Sequence, residues 1–211
     1  MKNPIKNQIS KSRINITIIL FAIFSIFCTS CKKDSVTASC DTTNTNFHQL
    51  YNSVAAISGN IDEVNYDYEE HEYSFTVASN ETVCQIGYQG QSAMPTGPLT
   101  YEIQLRDSTT NTALYLINTT FDTLQTSYVS VPNISLVPGH IYTVKRTLVH
   151  HYYHYPYTVS RLVRINSIGV NPMSFPYTVG NMTIIGSKLF DYTTTSYNQN
   201  ISIPFIDIVF Q

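Results

Sequence analysis

From Tyr73 onward, apolar side chains recur at every second position of this chain. Tyr73, Phe75 and Val77 form one set, and Leu99, Tyr101, Ile103 and Leu105 another, each interleaved with polar residues. Successive side chains of an extended strand point to opposite faces, so this spacing buries one face of each segment and wets the other. Strand-like runs follow at Cys84 to Tyr88, Ala113 to Phe121, Tyr128 to Val131, Ile141 to Val149, Thr158 to Ile165, Met182 to Ile185 and Phe205 to Phe210. Turn chemistry separates them: Met94-Pro95-Thr96-Gly97-Pro98, Asp107-Ser108-Thr109-Thr110-Asn111, Val137-Pro138-Gly139 and Asn171-Pro172. Eight or nine short strands with no long helical pattern between them define an all-β fold, an antiparallel β-sandwich or jelly-roll-like arrangement. Phe47, Leu50, Tyr51, Val54 and Ile57 break the pattern, and their spacing predicts one short helix on the sandwich rim. With 16 Tyr, 10 Phe and no Trp among 211 residues, the chain has material for one β-rich core.

The first thirty residues follow another rule. Lys2, Lys6, Lys11 and Arg13 precede an apolar run from Ile14 to Phe27 that only Asn15, Thr17 and Ser25 interrupt. A basic segment followed by a short apolar one is the pattern of a secretory signal peptide. As a helix the run reaches about 21 Å, short of the roughly 30 Å hydrocarbon core, which argues against a permanent span. Cys28-Thr29-Ser30-Cys31 then resembles a bacterial lipobox, and Cys31-Lys32-Lys33-Asp34 resembles the start of many Bacteroidota lipoproteins. The resemblance implies cleavage after Ser30, lipidation of Cys31 with three palmitate-type chains, and an address at the outer membrane of the cell envelope. One acyl chain binds a membrane only marginally, so several make a stable anchor.

Cleavage changes the electrostatics, because four of the 12 basic residues and none of the 14 acids lie in residues 1–30, leaving 8 against 14 and a net charge of −6. A chain of that sign is not drawn to nucleic acid or anionic lipid, so no nucleic-acid partner is expected and the lipid alone supplies membrane attachment. Residues 32–46, KKDSVTASCDTTNTN, hold almost nothing to bury and read as a flexible tether. The expected organisation is a signal peptide over 1–30, the lipidated cysteine and tether over 31–46, and a single sandwich domain over 47–211. Cys40 and Cys84 survive as a disulfide candidate, open between a bridge and two independent thiols.

Three strands carry a further resemblance. Gly97-Pro98-Leu99-Thr100-Tyr101-Glu102-Ile103-Gln104-Leu105-Arg106-Asp107, Pro138-Gly139-His140-Ile141-Tyr142-Thr143-Val144 and Phe205-Ile206-Asp207-Ile208-Val209-Phe210 resemble landmarks of an uncharacterised extracellular bacterial β-sandwich family of unknown function. That likeness implies a secreted sandwich and no catalytic residue. This chain departs from it in lacking tryptophan, with Tyr128 and Phe205 where the family has Trp.

Few constellations could carry chemistry. His150-His151-Tyr152-Tyr153-His154-Tyr155-Pro156-Tyr157 holds three of the six histidines and lies between two strand-like runs, which predicts a hairpin tip. His150 and His154 on a strand stand about 13 Å apart, too far to share one ion, so no metal is expected there. Tyrosine instead offers a rigid apolar face with a polar edge, and His151, Tyr152, Tyr153 and Tyr155 are the ligand-binding candidates. Lys145, Arg146, Arg161 and Arg164 flank that segment and would crowd one hairpin if its strands pair, either as a patch for an anionic partner or as solubilising charge. Asp62, Glu63, Asp67, Glu69, Glu70 and Glu72 lack the spacing of a calcium loop and read as a solvated acidic run. Asp207 interrupts the closing apolar strand, so it must be paired, and a backbone or Arg/Lys partner is expected.

Hydrolytic signatures such as a G-x-S-x-G elbow or H-E-x-x-H are absent from the sequence, although Glu102 could face a second acid across a sheet as glycosidases require. The functional expectation is therefore a non-catalytic, lipid-anchored sandwich without cofactor. It binds a glycan or a surface protein through the loops at one end. A purely structural envelope subunit and a small glycan hydrolase are the rival readings.

Overall fold

The computed structural model describes residues 40–66, 69–90, 92–93, 97–149, 159–167, 171–191 and 196–211. Among the described residues one helix, α1 (Asn46–Ala55), precedes fifteen strands. They are β1 (Asn60–Tyr66), β2 (Glu70–Val77), β3 (Glu81–Tyr88), β4 (Ser92–Ala93), β5 (Gly97–Pro98), β6 (Thr100–Asp107), β7 (Thr112–Thr120) and β8 (Ser127–Leu136). After them come β9 (Tyr142–Leu148), β10 (Val159–Ile165), β11 (Tyr177–Val179), β12 (Met182–Asp191), β13 (Ser196–Gln199), β14 (Ser202–Pro204) and β15 (Asp207–Phe210).

A seven-stranded sheet contains β11-β12-β2-β9-β6-β7 in that order, with β13 also paired to β12. Two three-stranded sheets, β1-β10-β14 and β15-β3-β8, complete the fold with the short β4-β5 pair. Every pairing is antiparallel, so the described residues form an all-β fold with one short helix.

The alternation in sequence is the alternation in burial. Strands β2 and β6 read half-buried, buried, half-buried, buried along their length, with Tyr73, Phe75 and Val77 on one and Tyr101, Ile103 and Leu105 on the other facing inward. Across from them stand Val83, Ile86 and Tyr88 of β3, Val163 of β10 and Ile203 of β14, all in one continuous core cluster. Each such side chain removed from water contributes about 1.5–3 kcal/mol, which is what holds the layers together.

Helix α1 sits deeper than the rim expected from sequence. Phe47, Leu50, Tyr51 and Val54 are buried, and the Phe47 ring stacks on Tyr73 of the seven-stranded sheet at 5.3 Å while meeting Phe205 edge-on at 5.5 Å. The helix thus takes part in the core. Ile57 lies past its end and is exposed, because the chain has already turned toward β1.

Residues 40–46, polar enough to read as tether, belong to the folded unit that begins at Ser39. Cys40 is bridged to Cys84 with the Cα atoms 6.1 Å apart. Thr45 accepts the His48 N–H as N-cap and donates its own hydroxyl to Asp207 at 2.7 Å. Their polarity serves capping and bridging, which composition alone does not separate from solvation.

Strand β1 has no counterpart in the sequence reading. It lies at the edge of its sheet, leaves Val64 exposed and carries Asp62 and Glu63, so no apolar alternation marks it. The expected hairpin also does not form: β9 pairs with β2 and β6, whereas β10 pairs with β1 and β14 in another sheet. Two runs that are neighbours in sequence therefore lie in different sheets.

Candidate functional site

The registers sort the connections into two ends. At one end Ala78–Asn80 joins β2 to β3, Ser108–Asn111 joins β6 to β7, Val137–Ile141 joins β8 to β9, and Gly180–Asn181 joins β11 to β12. Asn111, Gly139 and Gly180 take positive φ there, of 58°, 85° and 54°, which permits such tight reversals. At the other end Tyr66 stands opposite Val159, Glu70 opposite both Thr147 and Phe190, Tyr101 opposite Leu148, and Tyr88 opposite Ser127. The connections from β1 to β2, β3 to β6, β7 to β8, β9 to β10 and β12 to β13 all leave from this end.

Beneath those connections lies a buried cation. Arg146 occupies an inward position of β9, in the series Tyr142, Val144, Arg146, Leu148, and is fully enclosed. Its guanidinium stands 5.1 Å from the Tyr88 ring centre and 5.3 Å from that of Tyr101, and donates to the Glu69 carbonyl at 3.3 Å. Phe121 closes the group against Tyr88 at 5.5 Å. A desolvated cation over aromatic faces gains about 2 kcal/mol or more per contact, against a desolvation penalty of several kcal/mol. His71, opposite Arg146 on β2, is also enclosed and meets the Ser160 hydroxyl at 3.4 Å. Burial first, and the Arg146 charge second, hold its imidazole well below the usual histidine range, so it is neutral at pH 7.

Most of the basic and acidic residues singled out in sequence pair across strands. Lys145 pairs with Glu70 at 3.3 Å, Lys188 with Glu72 at 3.3 Å, Arg161 takes both oxygens of Asp62, and Arg164 pairs with Glu63. Lys145, Arg161 and Arg164 are thus halves of cross-strand pairs rather than one hairpin patch, and four of the six acids, Asp62, Glu63, Glu70 and Glu72, are paired rather than simply solvated, while Asp67 lies outside the described residues. Arg146 is the one basic residue of the four that leaves the ladder for the core. Its inward place in the alternation was visible in sequence and marks it.

Asp207 is buried as expected, with different partners. It accepts from the Thr45 hydroxyl at 2.7 Å and the Tyr128 phenol at 2.8 Å, and His48 Nε2 stands 3.5 Å away. Burial raises its carboxyl above the ordinary range, against the opposing pull of His48, Thr45 and Tyr128. Tyr128 needs Gly87 beneath it, since a Cβ there would overlap its ring.

Glu102 lies on the outer face of β6 in register with Thr147, and Thr147 in turn stands opposite Glu70. Two strand spacings separate the acids, about 9.6 Å. Glu70 is already engaged by Lys145 and by the Tyr197 phenol at 3.3 Å. Among the described residues no three His, Cys, Asp or Glu side chains are grouped to hold a metal ion, and no helix is long and apolar enough to cross a membrane. Cys31, His151, Tyr152, Tyr153 and Tyr155 lie outside the described residues. No protein-family model matches the chain, and no curated protein matches it.

Proposed function

We propose that this chain is a lipid-anchored envelope lipoprotein of Bacteroidota type, moored at Cys31, whose non-catalytic β-sandwich binds a glycan or a surface protein through the loops at one end. The asymmetry between the two ends carries the reading. At one end β2 to β3, β6 to β7, β8 to β9 and β11 to β12 are joined by reversals of two to five residues, whereas at the other β3 to β6, β7 to β8 and β9 to β10 are joined by six to eleven, near the buried group of Tyr88, Tyr101, Phe121 and Arg146. The tyrosine-rich run 152–157 lies in the sequence between β9 and β10, and rigid aromatic side chains supply contact area at little entropic cost.

The test is a glycan array together with capture of envelope proteins, comparing the native chain with a Tyr152→Ala, Tyr153→Ala, Tyr155→Ala variant and with a turn-end control, Asn111→Gly. Loss of binding in the first variant alone is expected; equal binding by all three would remove the loop end from the reading. Mass spectrometry of the mature amino terminus checks the anchor, and an unmodified Cys31 would overturn it.

A further inference from the structure

A hollow of about 270 Å³ lies at the turn-closed end, lined by Asp41, Asn44, Asn46, Glu81, Asn181 and Phe210. These residues come from four separate parts of the chain: the segment after Cys40 with the start of α1, the start of β3, the β11–β12 turn, and the end of β15. Asp41 Oδ1 accepts the Thr43 N–H at 2.8 Å and hydroxyl at 2.7 Å, and Glu81 Oε1 accepts from Asn181 Nδ2 at 2.7 Å and from Ser79 at 3.1 Å. Each carboxylate is thus oriented through one oxygen, and its second oxygen bonds no described residue. Asn44 and Asn46 add two amide groups whose side chains bond no described residue, and the half-buried Phe210 ring adds an apolar wall. Gly180 brings its turn close to Asn46, since a Cβ there would lie 3.4 Å from Asn46 Oδ1.

We propose that this hollow is a saccharide subsite that seats one uncharged hexose unit, independent of the loop-bearing end. A hexose presents hydroxyls that donate and accept at fixed spacing, and carboxylate and carboxamide groups match them, the first as acceptor and the second as both. Its C–H face packs on an aromatic ring, the part Phe210 plays. Two carboxylates repel an acidic sugar. Calcium is the poorer fit, because it takes six to eight oxygens with several carboxylates, whereas here two acids each have one oxygen already engaged. The volume lies just below the range of about 300–1,000 Å³ usual for ligand pockets, which suits a single sugar ring held weakly, with a dissociation constant on the order of 1 mM.

Saturation-transfer NMR tests the site on the full chain in a zwitterionic detergent without a sugar headgroup, using the methyl glycosides of glucose, galactose and mannose. At least one is expected to bind saturably, and Asn46→Ala and Asn181→Ala are each expected to weaken it about threefold to tenfold with unchanged thermal unfolding. Two controls separate this site from the other end and from a cation: the variant lacking Tyr152, Tyr153 and Tyr155 should bind as well as the native chain, and so should protein in EDTA. No saturable binding by any of the three glycosides, or binding that both asparagine variants leave intact, would overturn the proposal. So would loss confined to the tyrosine variant, which moves the sugar to the loop end, or binding of calcium that displaces the glycoside.

Discussion

At one end of this sandwich the strands are joined by Ser108–Asn111, Val137–Ile141 and Gly180–Asn181, short reversals held by positive φ angles and local hydrogen bonds. At the other, longer stretches, 89–99, 121–126 and 149–158, join β3 to β6, β7 to β8 and β9 to β10, and a buried arginine lies against two tyrosine rings. The turn end solves a local problem with local means: Asp107 accepts the N–H groups of Thr109 and Thr110 and pairs with His140 at 2.7 Å, all within its own turn and the next. The loop end solves its problem through tertiary packing, drawing Arg146, His71, Tyr88 and Tyr101 from four strands.

The largest effect should come from Arg146→Ala, which opens a cavity and removes the charge that its neighbours are arranged around; a loss of about 3–5 kcal/mol by chemical denaturation is expected. Arg146→Met sharpens the comparison, since a buried ion is often replaced by an apolar side chain of similar size without loss of stability. If the arginine serves binding rather than folding, that variant folds as well as the native chain and loses ligand.

Opening the Cys40–Cys84 bridge by Cys40→Ala should cost about 3–4 kcal/mol, because the bridge closes a separation of 44 residues in the unfolded chain. The same loss should follow reductant in the native chain and be absent in the variant.

Next in size is Gly139→Ala, expected to cost about 1 kcal/mol at φ 85° without changing ligand binding. A larger effect on binding than on stability would break the division between the two ends.

Two carboxylates should report opposite pH responses. For Asp107 burial alone would raise the carboxyl, yet the His140 and Thr110 hydrogen bonds outweigh it and hold it low. Its contribution is therefore present above the ordinary aspartate range and is lost as pH falls through the lowered value. Asp207 is raised, so its contribution is fully present below the ordinary range and is lost as pH rises through the elevated value. Stability-against-pH curves of Asp107→Asn and Asp207→Asn, each compared with the native chain, should differ from it in opposite directions on the acid side. The smallest effect belongs to Lys188→Ala, whose half-exposed pair with Glu72 should contribute under about 1 kcal/mol.

Much of the fold was legible because burial on one face of a strand leaves a period of two, and Tyr73 to Val77 and Leu99 to Leu105 carry it cleanly. The helix was legible for the same kind of reason, through Phe47, Leu50, Tyr51 and Val54. Strand β1 was not, because an edge strand held by Arg161 and Arg164 needs charges where a core strand needs apolar residues. The partners of Asp207 escaped as well: Thr45, His48 and Tyr128 lie from 79 to 162 positions away in sequence.

Residue order alone thus determined that this chain is built of strands, where most of them run, and which faces they bury, since each follows from the pleat of a single segment. Only the packed structure decided that the β9 and β10 runs lie in different sheets, that Asp62, Glu63 and Glu70 pair with Arg161, Arg164 and Lys145, and that the Arg146 guanidinium lies against the Tyr88 and Tyr101 rings. Those outcomes depend on which strands become neighbours, and neighbours are selected by the burial of whole sheet faces against one another, a quantity no single stretch of sequence contains.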